Sequence, residues 1–225
     1  MAAEGGSARP LGTLALYTWT RCFGQSSRRR ADGKKKSGRD YAQQTDKESA
    51  RWYQQVQASS EQVGNKDCLI HVADREADCF ELLSNLVSDK HRFVIRLRVD
   101  RSARDCETLV PQHVLELIDQ AEDVLEIQVP VGKRQESKVP ATKKTFPARE
   151  QRQAKLAFRA TTVQIKRPRY VDKDKHEDWL KLNVVQVHEL EAPEGAEPVC
   201  WTLLTTEPIE TVEQIRRVVS FYKQR

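Results

Sequence analysis

The run Asp74-Arg75-Glu76-Ala77-Asp78 carries side chains whose types and spacing could do chemistry. It follows the nearly continuous apolar run of residues 68–73, which is typical of a strand buried on both faces of a central sheet. Apolar residues at helical spacing come next: Ala77, Phe80, Leu83 and Val87. Asp74 is therefore predicted at the carboxyl end of a strand, where α/β sheets place their ligands.

The short, hard-oxygen side chain of Asp74 suits Mg²⁺ or Mn²⁺. Two such ions about 3.5–4 Å apart can activate a water and stabilise the leaving oxygen of a phosphodiester, but this requires several carboxylates from different elements. A second interpretation is that Glu76 and Asp78 act as partners of the helix dipole, as caps or in salt bridges. The residues by themselves leave both interpretations open.

The elements that must position Asp74 are predicted to alternate between strand and helix over the first hundred residues, which indicates an α/β core. The predicted elements are a strand at residues 11–19, a helix at about 45–63, a strand at 68–73, a helix after the acidic run, and a strand at 93–99. Thr45 is the predicted N-cap of the first helix, with Glu48 completing a capping box. Residues 22–44 are polar and without a period, and are predicted to be a loop.

After residue 100 the pattern becomes mainly β. A short helix is marked by Val114, Leu115 and Ile118, and strands are predicted at residues 124–131, 152–166, 180–190 and 199–205. Within the second of these strands, one face carries Ala154, Leu156, Phe158 and Ala160, and the other carries Lys155 and Arg159. This alternation predicts a separate antiparallel sheet with a basic outer side.

The last predicted element is a helix that begins after Thr211 as N-cap. Its apolar face consists of Ile215, Val218, Val219 and Tyr222. The spacing of these residues is that of an amphipathic helix lying on a core.

The net charge of the 225-residue chain is +5 at pH 7, and its distribution is uneven. Residues 133–175 contain fourteen basic and four acidic residues, and a second basic cluster occupies residues 28–36. Such fields attract polyphosphates, although a basic stretch can equally be a solvated surface. The composition is that of a soluble chain, without an apolar run long enough for a membrane helix and without a signal peptide, which predicts a cytoplasmic protein. Five scattered cysteines favour reduced thiols over a zinc site or disulfides.

Four stretches of this sequence closely resemble the DDE transposases of the bacterial insertion-sequence group that includes the transposase of a kanamycin-resistance transposon. They are residues 70–78 continuing through 90–96, residues 201–208, the run Tyr222-Lys223-Gln224-Arg225, and Lys47-Glu48-Ser49 with Trp52. The third stretch opens the Tyr-x2-Arg-x3-Glu-x6-Lys signature of that family. The resemblance extends from about residue 11 to residue 225, with gaps in the loop and the basic β region.

The resemblance implies an α/β fold, namely a partial ribonuclease-H-like core with an antiparallel β-sheet insertion. The corresponding domains are the core at residues 1–100, a basic β-rich insertion at 101–206, and the start of the C-terminal core helix at 207–225. The implied function is cut-and-paste DNA transposition by a homodimer that uses Mg²⁺ or Mn²⁺ on transposon ends.

The resemblance also implies roles for individual residues. Asp74 matches the second of three metal-binding catalytic acids. Trp201 matches an aromatic residue that receives a flipped base, which is a use of stacking between bases and aromatic rings. Tyr222 and Arg225 match residues that hold a DNA phosphate, and Arg96 matches a residue that faces DNA. Trp201 could also be an ordinary strand residue, and Tyr222 could simply end the apolar face of its helix.

This sequence departs from the family pattern at the other two acids. The first acid would lie upstream of the region that matches residues 11–21, and the third would lie four residues after Arg225. One ligand of three suggests a fragment without strand-transfer activity by itself. A non-catalytic DNA-binding remnant or regulator, acting with full-length transposase as a partner, is the alternative. A metal-dependent nuclease that uses Asp74 and neighbouring acids is a third hypothesis.

Overall fold

A computed structural model describes residues 2–4, 7, 9–16, 48–139, 144–146 and 148–225. Its helices are α1 (Glu48–Val63), α2 (Phe80–Ser88), α3 (Val114–Asp119) and α4 (Val212–Lys223). The strands in the first half are β1 (Ala2–Ala3), β2 (Pro10–Gly12), β3 (Ile70–Ala73), β4 (Arg92–Arg96), β5 (Ser102–Asp105) and β6 (Pro111–His113). The later strands are β7 (Leu125–Val131), β8 (Ser137–Val139), β9 (Lys144–Phe146), β10 (Arg152–Lys166), β11 (Trp179–Glu189) and β12 (Cys200–Thr205).

One large sheet runs through this part of the chain, in the order β3-β4-β12-β11-β10-β5-β6, with β7 also pairing with β10. The β3–β4 pair is parallel and the other pairs are antiparallel. The prediction of a separate antiparallel sheet is wrong, because β12 pairs with β4 and so continues the sheet that contains β3. The fold is thus mixed α/β, and the three domain limits predicted above remain predictions.

The strand that precedes Asp74 differs in position from the prediction. It begins at Ile70, and its four residues are half-buried. Within the described residues β3 lies at an edge of the sheet, not in its centre. Its apolar residues nevertheless pack on both faces of the sheet. Ala73 contacts one core cluster, and Ile70 and Val72 contact the other.

Helices cover both faces of the sheet. The core on one face is built from α2 and α3, with Trp52, Tyr53 and Val56 of α1 packed against it. On the other face lies α4, whose buried residues are Ile215, Val218, Val219, Phe221 and Tyr222. The predicted N-cap is confirmed, because the Thr211 side chain accepts from the Gln214 backbone N–H. The amphipathic pattern of α4 therefore predicted its buried face correctly.

Several predicted elements have different limits. The strand predicted at 11–19 is wrong over residues 13–16, where the ladder has already ended after β2. Residues 17–47 lie outside the described residues, and with them the predicted loop and the Thr45 cap. The strand predicted at 93–99 ends at Arg96, for a reason given below.

Strand β10 confirms the predicted alternation, since Ala154, Leu156 and Phe158 are buried in the core on the α4 side. The two basic residues on its other face are paired. Lys155 lies 2.8 Å from Glu126, and Arg159 forms an ion pair with Asp119. The expectation of a basic outer side is therefore wrong for these two positions, because neighbouring acids neutralise them.

Among the helices that the structure describes, none has the length and apolar character needed to cross a lipid bilayer. The four described cysteines, Cys68, Cys79, Cys106 and Cys200, are free thiols.

Candidate functional site

Asp74 follows the last residue of β3 and precedes a single 3-10 turn, Arg75–Ala77. Its side chain makes no capping hydrogen bond to this turn, and 40% of the side chain is exposed. The carboxylate instead reaches the last turn of α4 and the residues after it. The Tyr222 hydroxyl donates to Asp74 Oδ1 at 3.0 Å, and Arg225 Nη1 lies 3.0 Å from Oδ2.

Two further predicted residues lie against the same tyrosine. The rings of Trp201 and Tyr222 meet edge to face, with centroids 5.3 Å apart. The Arg225 guanidinium lies 5.3 Å from the centroid of the Tyr222 ring. Arg96 Nη2 donates to the carbonyl of Cys200, the neighbour of Trp201, at 3.0 Å, and the Arg96 guanidinium lies close enough to act electrostatically on Tyr222. We call these five residues (Asp74, Arg96, Trp201, Tyr222, Arg225) the Asp74 site.

The sheet brings these residues together from separate parts of the chain. The register pairs Arg96 of β4 with Leu203 of β12, so Trp201 lies just beyond Arg96 on the same face. Asp74 follows β3 at the end of the sheet where Arg96 lies, because the preceding residues of the two strands, Ala73 and Ile95, are paired. Helix α4 packs on this face, and its last turn places Tyr222 beside Trp201.

Opposing effects set the pKa of Asp74. Burial raises it, but the Arg75 backbone N–H, the Tyr222 hydroxyl, and the charges of Arg225 and Arg96 together lower it below its usual value. The pKa of Tyr222 is raised, first by burial and then by its hydrogen bond to Asp74, against an opposing effect of Arg96. Asp74 is therefore an ionised acceptor and Tyr222 a neutral donor at neutral pH.

The donor set does not fit a divalent metal. The one carboxylate already has a guanidinium and a hydroxyl bonded to its two oxygens, whereas Mg²⁺ requires several oxygen ligands. Within the described ranges, no group of three or more His, Cys, Asp or Glu side chains is arranged to hold a metal ion. With two guanidiniums around one carboxylate, the site has an excess of positive charge and suits an anion.

The last residue of the acidic run has a structural role. Asp78 has a fully buried side chain that forms an ion pair with Arg101 at 2.7 Å. Its Oδ2 also accepts from the backbone N–H groups of Arg98, at 2.7 Å, and Val99, at 3.2 Å. Because the N–H groups of Arg98 and Val99 donate to a side chain, they do not pair with a neighbouring strand. This explains why the predicted strand ends at Arg96. The salt-bridge interpretation is therefore confirmed for Asp78, whose partners lie in the segment after β4, while Glu76 is exposed.

The second stretch of the resemblance also contains a structural residue. Glu207 is buried and accepts from Arg92 through two bonds, at 2.7 Å from Nε and 2.6 Å from Nη2. This pair ties the start of β4 to the segment between β12 and α4, and so helps to orient the helix that carries Tyr222.

One residue near the site was not predicted to take part in it. Arg75 is exposed, and its charge, like that of Arg96, lowers the pKa of the Cys200 thiol against the larger raising effect of burial. Its place directly after Asp74 was the signal that could have identified it.

No protein-family model matches the chain. The resemblance to the transposases consists of the sequence stretches quoted above.

Proposed function

We propose that this chain is a DNA-binding member of the cut-and-paste DNA transposase group and that DNA binds at the Asp74 site. One observation carries the proposal. The five residues that the resemblance singles out come from four separate parts of the chain, yet they lie together at one end of the sheet: Asp74, Trp201, Tyr222 and Arg225 are joined by direct contacts, and Arg96 bonds to the carbonyl of Cys200 next to Trp201. The ribonuclease-H-like assignment of the core belongs to the same proposal, supported by the parallel β3–β4 pair and by the helices on both faces.

The chemistry of the site suits a nucleic acid. Arg96 and Arg225 provide guanidinium groups for phosphate oxygens, and contacts of this kind position a protein on DNA. Trp201 is half-buried, and an aromatic ring beside cations offers a surface on which a base can stack. The carboxylate of Asp74 orients Arg225 and Tyr222 in this arrangement.

The same geometry favours binding without strand cleavage for the described part of the chain. Cleavage by two metal ions requires further carboxylates at the site. The carboxylate of Asp78 forms an ion pair with Arg101, and that of Asp74 forms one with Arg225, so neither carboxylate is free to bind a metal ion. The second candidate function is therefore that of a remnant or regulator that binds DNA without cleaving it. Its expected partner is a full-length transposase.

Fluorescence anisotropy with a labelled duplex, in buffer containing EDTA, tests the proposal. We expect Arg96→Gln and Arg225→Gln each to lower the salt dependence of the binding constant by roughly one unit of slope. Arg216→Gln, an exposed arginine on α4, is the matched control and should leave the slope closer to that of the wild type.

Trp201→Ala should weaken binding to a single-stranded oligonucleotide by about 1–3 kcal/mol, because a stacking surface is lost. Unchanged affinity and slope in all three site variants would refute DNA binding at the Asp74 site.

A further inference from the structure

A second group of cations surrounds Trp179 on the sheet. In the register of β10 with its neighbours, Gln164 pairs with Arg104 on β5 and with Lys181 on β11, and Lys166 pairs with Trp179. Paired residues of antiparallel strands point to the same face, as do alternate residues along a strand. Arg104, Lys166, Trp179 and Lys181 therefore share one face, and we call these four residues the Trp179 patch.

The patch is separate from the Asp74 site. It lies on the face that carries α4, because Lys166 has the same orientation on β10 as the core residues Leu156 and Phe158. Along β11, however, Trp179 is the first residue, whereas Trp201 of the Asp74 site pairs with Val187 near the other end. Eight residues of extended strand separate these positions, which corresponds to about 26 Å.

Arg104 is held in a fixed orientation. Its Cζ atom lies 3.9 Å from the centroid of the Trp179 ring, and its Nε donates to Gln164 Oε1 at 2.6 Å. Its two terminal amino groups donate to no acceptor within the part of the chain that the structure describes. A stacked guanidinium with two free amino groups is a preorganised fork for phosphate oxygens, a role that lysine cannot fill.

The cations of the patch outnumber the acids around them. Lys166 and Lys181 are exposed, and Lys166 Nζ lies 5.7 Å from the Trp179 ring centroid. Asp105, next to Arg104, accepts from the backbone N–H groups of Glu107 and Thr108.

Asp178, next to Trp179, forms an ion pair with Arg167. The patch itself contains three cations (Arg104, Lys166 and Lys181) and no acid, so it keeps an excess of positive charge.

We propose that the Trp179 patch binds the phosphodiester backbone of a nucleic acid, independently of the Asp74 site. Arg104 and Lys181 lie on either side of β10, so their Cα atoms are roughly 10 Å apart. Lys166 lies on β10 itself, two residues after Gln164, the residue that pairs with both Arg104 and Lys181. Cations distributed over this distance suit a chain of phosphates, whereas a single small anion could contact only part of the patch.

The test compares two double variants that carry the same change in net charge. Lys166→Gln with Lys181→Gln removes two cations of the patch. Lys133→Gln with Lys155→Gln is the control, because those lysines are paired with Glu150 at 3.2 Å and Glu126 at 2.8 Å. Circular dichroism on each protein checks that the fold is kept. Binding of labelled single-stranded and duplex DNA of arbitrary sequence is measured by anisotropy over a range of salt concentrations.

We expect the patch variant to lose about two units of salt slope on duplex DNA and at least about tenfold in affinity at 0.1 M salt, with a smaller loss in the control. We expect Arg104→Lys, which keeps the charge, also to weaken binding, because the fork and the stack are lost.

Equal losses in both double variants, or wild-type affinity in Arg104→Lys, would overturn the proposal. Sodium phosphate at 5 mM and matched ionic strength should leave DNA binding unchanged. Displacement of DNA by this phosphate would identify a small-anion site and would likewise overturn it. Loss of binding in the Asp74-site variants alone would also refute the patch, while leaving the proposed function in place.

Discussion

The Tyr222 hydroxyl donates to Asp74 Oδ1 at 3.0 Å across 148 residues of sequence. This bond joins the end of β3 to the last turn of α4, and the Tyr222 ring is itself buried against the sheet. Because β3 has one pairing partner within the described residues, its carboxyl end depends on such side-chain contacts for its position. The Asp74 site is therefore also a clamp between the edge strand and α4.

We expect Tyr222→Phe to lower the free energy of unfolding by about 1 kcal/mol. A hydrogen bond to a charged group contributes about 1.5–3 kcal/mol when buried, and the exposure of Asp74 reduces this value. Urea denaturation measures the change. Tyr53→Phe is the matched control, since its hydroxyl donates to Asp89 at an exposed position, and there we expect less than about 0.5 kcal/mol.

A double-mutant cycle with Asp74→Asn separates this bond from other effects of removing the hydroxyl. Additive losses in Tyr222→Phe and Asp74→Asn would show that the two side chains do not interact in solution.

The depressed pKa of Asp74 predicts a loss of stability in acid. In the unfolded chain this carboxyl titrates at about 3.9, and in the folded protein it titrates lower, despite the opposing effect of burial. The unfolded state therefore binds the proton more readily, so the contribution of Asp74 is complete above the unfolded pKa and is lost as the pH falls through the folded pKa. Unfolding curves at a series of pH values should show a smaller acid loss for Asp74→Asn than for the wild type. A parallel pH dependence of the two proteins would argue against the ion pair with Arg225.

Within the acidic run, Asp78 and Glu76 should behave differently. Asp78→Ala leaves Arg101 and two backbone N–H groups without their acceptor, and breaking a buried pair in this way costs about 3–5 kcal/mol. Glu76→Ala, at an exposed position two residues earlier, should change stability by less than about 0.5 kcal/mol. Thermal unfolding of the two variants measures both effects. Similar stability in both would mean that the Asp78 contacts contribute little.

The sequence allowed prediction of the elements whose signals are local. The Thr211 cap and the spacing of Ile215, Val218 and Val219 predicted α4 and its buried face. The strand predicted at residues 152–166 likewise coincides with the whole of β10, and the alternation over residues 154–160 predicted which side chains face the core. Pairing between β4 and β12 could not be predicted in this way, because the register between Arg96 and Leu203 depends on side chains more than one hundred residues apart.

Four residues of the Asp74 site (Arg96, Trp201, Tyr222 and Arg225) were predicted through resemblance, whereas Asp74 was also indicated by its place at the end of a strand. Nothing in the spacing of Trp201 and Tyr222 indicates an edge-to-face contact, and Asp78 has the same residue type as Asp74 but a buried structural role. The difference arises from what lies opposite each carboxylate. Asp78 meets Arg101 inside the loop after β4, and Asp74 meets α4 at the end of the sheet.

His71 should make the fold sensitive to mild acid. Burial and the neighbouring charge of His91 lower its pKa to about 4 from 6.5, and His71 Nε2 and His91 Nδ1 are buried without a hydrogen-bond partner in the described structure. The unfolded chain therefore takes up a proton near pH 6.5, whereas the folded protein resists protonation down to about pH 4. Stability should be complete above pH 6.5 and fall between these values, by on the order of 3 kcal/mol. His71→Val should flatten this part of the pH profile in urea denaturation, and an unaltered slope would contradict the assignment.

The pairing of Asp74 with Arg225 predicts weak binding of divalent metal. Wild-type protein should show no Mn²⁺ binding that depends on Asp74 at micromolar concentrations, as measured by the free-Mn²⁺ signal in electron paramagnetic resonance. A metal would have to displace a guanidinium and a hydroxyl from the two carboxylate oxygens, and it would gain one ligand in return. For the same reason we expect no nicking of supercoiled plasmid in Mn²⁺ above the level seen with Asp74→Ala. Nicking by the wild type that disappears in Asp74→Ala would show that the site assembles a metal centre after all, and would favour strand cleavage over binding without cleavage.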